Sequence, residues 1–184
     1  MKYIIKKAYN IVWYLYCYIK WVEVWKNVQF LWIPYIKNNW KIQIWNNAVL
    51  HSHKKSYHAH MYNWVKLVSK SKDSQIIIGD NSKINWCCIS AKWKIQIWNN
   101  VLIAANTTII DTNGHEIINR EIEDKSKNII LSNNVWIWLN CIILKWTNIW
   151  KNTIISAGSI IKWNINNDLI IKNNEYIKAK IIKK

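Results

Sequence analysis

The chain has 184 residues, 51% of them hydrophobic, and a formal charge of +16 from 26 Lys and Arg against 10 Asp and Glu. That length suits one domain with a sizeable core, and no uninterrupted apolar run approaches the about 20 residues needed to cross a bilayer. The lysines are scattered and no aromatic RNA-binding motif lies among them, so the charge by itself specifies no nucleic-acid partner. Cys17, Cys87, Cys88 and Cys141 show no C-x-x-C spacing and no disulfide framework, which points to a reducing, cytoplasmic setting.

Residues 1–20, MKYIIKKAYNIVWYLYCYIK, start basic and turn apolar and aromatic. No small-residue cleavage site follows, so the segment reads as a helix packed on the end of a domain. Peripheral contact with the inner face of a membrane is the alternative. From residue 21 aliphatic residues recur in short runs. Residues 51–75 break that pattern and carry His51, His53, His58 and His60. Two H-x-H pairs could bind metal, but no Cys or Asp completes a recognised ligand spacing, and no metal is expected. Residues 76–112 resume the runs, with Ile97, Ile103 and Ile109 six apart. Residues 111–128, DTNGHEIINREIEDKSKN, are polar and mixed in charge, and read as a loop thrown outward.

The period is clearest over 131–163. Leu131, Ile137, Ile143, Ile149, Ile155 and Ile161 each open a six, and Val135, Cys141, Thr147, Thr153 and Ser159 fill the fifth place. A six-residue unit cannot bury its own apolar side, so it must stack on copies of itself. A helix would need apolar residues about 3.6 apart, which a strict six does not supply. Three sixes per coil make a triangular parallel β-helix with the aliphatic residues inward. The chain divides into residues 1–20 as a helix, 21–165 as the solenoid with loops 51–75 and 111–128, and 166–184 as a basic extension.

These sixes, with I-D-T-N-G-H at 110–115 and N-N-V-W-I at 133–137, resemble the hexapeptide-repeat acyltransferases, in particular the galactoside, maltose and polysaccharide O-acetyltransferases. The resemblance covers roughly residues 21–165 and implies an all-β, left-handed parallel β-helix. It also implies a homotrimer with sites shared between neighbours, and transfer of an acetyl group from acetyl-CoA to a hydroxyl of a sugar such as a surface polysaccharide. His115 matches the family's general base. Asn85 and Asp111 match acceptor-side positions, although each has a structural reading: a corner ladder for Asn85 and a turn cap for Asp111. Trp136, Leu139, Ala157 and Lys162 match the coenzyme A groove, Lys162 one residue out of step. The family's G-N-P-A-K close is not intact. A non-enzymatic scaffold and a zinc carbonic anhydrase on the same solenoid are the competing readings; the second needs histidines on neighbouring coils, where only His115 qualifies.

One departure from the family is systematic. The second place of the six is usually Gly, yet here it is Trp45, Trp98, Trp138 and Trp150, while Gly79 keeps the expected residue. The chain has 15 Trp and 3 Gly, where about 7% Gly is ordinary. The expectation is that most of these tryptophans are encoded by UGA and read as glycine in the source cell, with Trp136 a true tryptophan; a tryptophan-rich surface is the alternative.

Overall fold

The structure is a computed structural model that describes residues 2–53, 64–115, 125–172 and 175–178. It opens with helix α1 (Lys2–Ile19), followed by six stacked coils of three short strands each. The first coil is β1 (Val22–Val24), β2 (Gln29–Leu31) and β3 (Tyr35–Asn38). The second is β4 (Lys41–Ile44), β5 (Val49–His51) and β6 (Lys66–Ser69). The third is β7 (Gln75–Ile78), β8 (Lys83–Asn85) and β9 (Cys88–Ala91). The fourth is β10 (Lys94–Ile97), β11 (Leu102–Ile103) and β12 (Thr108–Ile110). The fifth is β13 (Ile129–Leu131), β14 (Trp136–Ile137) and β15 (Ile142–Leu144). The sixth is β16 (Asn148–Ile149), β17 (Ile154–Ile155) and β18 (Ile160–Ile161). Strands β19 (Leu169–Lys172) and β20 (Glu175–Lys178) follow.

Stacking produces three flat sheets. The first strand of every coil joins sheet A, the second sheet B and the third sheet C, with all coil-to-coil pairings parallel. This is the triangular parallel β-helix expected from the sixes, left-handed as the resemblance implies. Strand β20 is the exception: it turns back antiparallel on β19. Strand β6 lies inside the stretch 51–75 that reads as loop in sequence. His51 ends β5, and Leu67 of β6 takes an inward aliphatic slot. The insertion at the corner resets the count of six and hides that strand.

The aliphatic residue of each six points inward and stacks on its counterpart one coil away. Ile44, Ile78, Ile97, Leu131 and Ile149 form one such column, all fully buried. Ile103, Ile137, Ile155 and Ile171 form another. Burying one such side chain contributes about 1.5–3 kcal/mol, and the columns repeat that gain along the axis. The fifth-place residues Cys141, Thr147, Thr153 and Ser159 are buried at the corners, where their side chains bond backbone carbonyls: Thr147 Oγ1 donates to Ile161 O at 3.3 Å and Ser159 Oγ to Ser156 O at 2.7 Å.

Corners require backbone that most residues avoid. Between sheets A and B, Asn27, Asn47, Asn81, Asn100, Asn134, Asn152 and Asp168 all have φ of 57–61°. Asn is enriched in this left-handed region because its short amide can bond locally. Side chains link neighbours in the column: Asn134 Nδ2 donates to Asn152 Oδ1 at 2.9 Å, and Asn152 Nδ2 to Asp168 Oδ1 at 2.8 Å. Beside it Asn46, Asp80, Asn99 and Asn133 form a second ladder; Asp80 Oδ1 accepts from Asn46 N at 2.8 Å and Asn133 Oδ1 from Asn99 N at 2.9 Å.

Between sheets B and C the corner column runs Trp32 (φ 81°), Trp86 (36°), Asn106 (61°), Asn140 (57°) and Gly158 (76°). Trp21 (φ 55°) stands just after α1, where a left-handed residue ends many helices and is usually Gly, and Trp146 (φ 73°) turns the chain from β15 to β16. Among the described residues every non-glycine with positive φ is Asn, Asp or Trp. Tryptophan alone in that set has no local reason to be there. Gly79 sits between Trp45 and Trp98 in the stack; a Cβ on it would lie 2.6 Å from the Trp98 carbonyl carbon. Among the described residues, the buried indole N–H groups of Trp45 and Trp163 find no hydrogen-bond acceptor.

Candidate functional site

Two edges of the prism hold the site residues expected from the sequence, and sheet C lies between them. At the edge between sheets C and A, strand β12 ends at Ile110 and the chain leaves the solenoid through Asp111, Thr112, Asn113, Gly114 and His115. The departure is anchored. The Asp111 carboxylate is fully buried and accepts the Lys92 and Trp93 backbone N–H groups, both at 2.7 Å. Burial pushes the carboxyl above its usual range, and these backbone donors offset only part of that rise. Thr112 Oγ1 accepts from Gly114 N at 3.0 Å, and Gly114 has φ 87°, so the chain turns sharply just before His115. His115 itself is exposed at this edge. Lys162, just past β18, is exposed on the same edge two coils further on.

The other edge lies between sheets B and C. Asn85 ends β8 and is 7% exposed; its Nδ2 donates to Ile103 O of the next coil at 2.9 Å. His51, in register with Asn85 one coil back, hydrogen-bonds the Asn85 side chain and lies over the Trp86 ring with centroids 4.2 Å apart. Burial lowers the His51 pKa and the neighbouring His53 lowers it further, while the Asn85 hydrogen bond raises it. Further along this edge stand Leu139, half-buried, and Ala157, exposed. The Leu139 carbonyl accepts from Gly158 N at 2.9 Å. Trp136, on the outer face of sheet B, stacks on Trp138 with centroids 5.0 Å apart.

The structure therefore gathers Asn85, Leu139 and Ala157 at one edge, with Trp136 beside them, and Asp111, His115 and Lys162 at the other. Within one chain the two sets are not brought together. Asn85 is engaged in coil-to-coil bonding and Asp111 in anchoring the turn, the structural readings open for each in the sequence. Sequence reading weighed His51 only as part of an H-x-H pair and missed its place beside Asn85. Its only sequence signal is its position one coil before Asn85, which becomes visible when Leu50 and Ile84 are aligned as inward residues. Among the described residues no three His, Cys, Asp or Glu side chains converge as a metal site. His58 and His60 lie outside the described residues.

In its last three coils the outer face of sheet C, between the two edges, is largely apolar. Ile142 and Ile160 are exposed and in register, and Ile110 and Leu144 beside them are half-buried.

No protein-family model matches the chain. Galactoside O-acetyltransferase of Escherichia coli (strain K12) is 36% identical over 99 residues, covering 52% of this chain and 48% of that protein. The crystal structure of the polySia-specific acetyltransferase NeuO matches with a TM-score of 0.65 at 20% identity, over 89% of this chain and 68% of that one. A hexapeptide-repeat-containing acetyltransferase from Vibrio cholerae O1 biovar eltor, complexed with acetyl coenzyme A, matches with a TM-score of 0.51 at 22% identity, over 59% and 61% of the two chains. At such identities the two structures speak for the fold alone. The chain spans about half the length of the curated relatives it matches. With its six-residue coils and its three parallel sheets, the chain has the left-handed parallel β-helix fold of these acetyltransferases, and over about half its length it is similar in sequence to the galactoside enzyme.

Proposed function

We propose that this protein transfers an acetyl group from acetyl-CoA to a hydroxyl of a sugar, with His115 as the general base. The observation that carries the reading is His115 itself: an exposed imidazole just beyond an anchored turn, in a chain 36% identical over 99 residues to a galactoside O-acetyltransferase. The acceptor oxygen attacks the thioester carbonyl carbon while the imidazole takes the hydroxyl proton. The tetrahedral intermediate then collapses, the C–S bond breaks, and the coenzyme leaves as a thiol that takes up the proton. Holding both substrates in one groove removes any need for a covalent enzyme intermediate. Asn85 and Asp111 serve the acceptor side, the second by fixing the turn from which His115 projects. Trp136, Leu139, Ala157 and Lys162 serve the coenzyme, Lys162 through its charge on a phosphate.

The working form in this reading is a homotrimer. The two edges of one chain are separated by the width of sheet C, and cyclic packing sets the His115 edge of one copy against the Asn85 edge of the next. The apolar outer face of sheet C, with Ile142 and Ile160, supports such an interface. The setting is a cell's cytoplasm, and the acceptor belongs to a surface polysaccharide before export.

The test is acetyl-CoA-dependent thiol release with a panel of sugars. His115→Ala should lower turnover by roughly 10²–10⁴-fold, with calorimetric binding of acetyl-CoA little changed. Unchanged turnover would remove His115 from the mechanism, and absence of turnover with every sugar tried in the unaltered protein would remove the acceptor class.

A further inference from the structure

We propose that helix α1 docks this protein on an anionic lipid bilayer, lying in the headgroup plane with Ile11, Leu15, Tyr18 and Ile19 turned into the lipid. The orientation of the helix on its own domain is fixed. Trp13 and Cys17, four residues apart, are buried against the first coil. The Tyr14 hydroxyl accepts from Val28 N at 3.1 Å and donates to Trp25 O at 3.2 Å. The opposite face is therefore the one presented outward. It holds Ile11 (57% exposed), Leu15 (58%) and Tyr18 (81%), flanked by Val12 and Ile19. A surface helix of a soluble domain carries charged and polar residues there. This one carries none between Ile11 and Ile19.

Charge selects the occupant. The helix and its exit contain Lys2, Lys6, Lys7 and Lys20, and no Asp or Glu precedes Glu23. An apolar stripe on a helix whose sequence carries lysines and no acids fits a surface that offers hydrocarbon and negative charge together, which is an anionic bilayer. The other copies of this chain, each at +16, share its sign. No helix is long and apolar enough to cross a membrane among the described residues, so the helix lies on the lipid and does not span it. The solenoid stands on the side of the helix away from the lipid, since the packed and exposed faces are opposed.

The experiment is flotation of the full chain with phosphatidylcholine vesicles, with and without phosphatidylglycerol. The comparison is the double variant Ile11→Asp/Leu15→Asp; both positions are exposed, so the fold should persist, and circular dichroism with a thermal scan checks that it does. The unaltered protein should float with the anionic vesicles, less so in high salt, and much less with phosphatidylcholine alone. The variant should bind the anionic vesicles at least about tenfold more weakly, given two aliphatic side chains removed from the lipid contact. No flotation with anionic vesicles, or equal flotation of a folded variant, would overturn the proposal. So would a fall in the variant's assembly mass by light scattering, because a second copy would then be what covers the face.

Discussion

Replacing Trp21 and Trp146 separately by Ala and by Gly tests whether the corners strain the chain. Their φ values are 55° and 73°, and they are 86% and 65% exposed, so little burial is lost on truncation. A Cβ in the left-handed region costs about 1–2 kcal/mol. Glycine avoids that cost but loses about 0.5–1 kcal/mol more chain entropy than alanine on folding. The balance makes Gly more stable than Ala by about 1 kcal/mol or somewhat less at these two sites. At an exposed position with ordinary φ the order reverses, and Trp150 supplies that control. Comparing Ala with Gly cancels the lost indole, including the contact of Lys127 Nζ with the Trp146 ring at 5.5 Å. The assay is urea unfolding of the six variants, with thermal midpoints expected to move about 2–4 °C per kcal/mol for a chain of this size. Alanine equal to or better than glycine at both Trp21 and Trp146 would refute the strain account. The same reasoning bears on the protein made in its own cell: peptide mass mapping there should show glycine at Trp21, Trp32, Trp86 and Trp146, and tryptophan at all four would sink the UGA reading.

Four other outcomes are expected. Asp111→Ala, which leaves the Lys92 and Trp93 N–H groups unmet, should destabilise by about 1–3 kcal/mol, and Asp111→Asn by less, in denaturant titrations. Gly79→Ala should destabilise by about 1–3 kcal/mol, because the new Cβ meets the Trp98 carbonyl group, which is backbone and cannot step aside, as well as Asn99 Oδ1. Stability should fall as pH drops through the ordinary histidine value near 6.5, because the folded His51 resists the proton that the unfolded chain accepts; His51→Gln should flatten that part of the stability profile. In the proposed homotrimer, Ile142→Asp/Ile160→Asp should lower the mass seen by light scattering while the monomer's dichroism persists, and an unchanged mass would argue against sheet C as the contact face.

Much of the solenoid was readable before any coordinates, and the reason is its period. Each six repeats one local demand, an inward aliphatic residue, so Ile137, Ile143, Ile149 and Ile155 together carry a signal that one strand could not. Strand β6 escaped because the signal is a count, and the segment between His51 and Lys66 interrupts it. The individual site residues were less readable. The chain run Ile110–His115 marked a departure from the coil, but nothing in it shows that Asp111 reaches back to Lys92 and Trp93, since those amides belong to the preceding coil. The His51–Asn85 pair is likewise a contact across coils, and exists only once the register is known. The tryptophans at corners were visible as an odd composition; that Trp21, Trp32, Trp86 and Trp146 need left-handed backbone is a property of the turn and not of the residue.

The two ends of the solenoid have a consequence for how copies meet. Three parallel sheets stacked in register offer, at either end, a triangle of unpaired strand edges that matches the opposite end of another copy, the geometry from which fibres grow. Here α1 lies against the first coil through Trp13 and Cys17. At the other end β20 runs antiparallel on β19, so sheet B presents a strand of the wrong polarity to an incoming coil. An incoming coil would thus meet a strand of mismatched polarity in sheet B at one end, and the helix over β1 and β2 at the other.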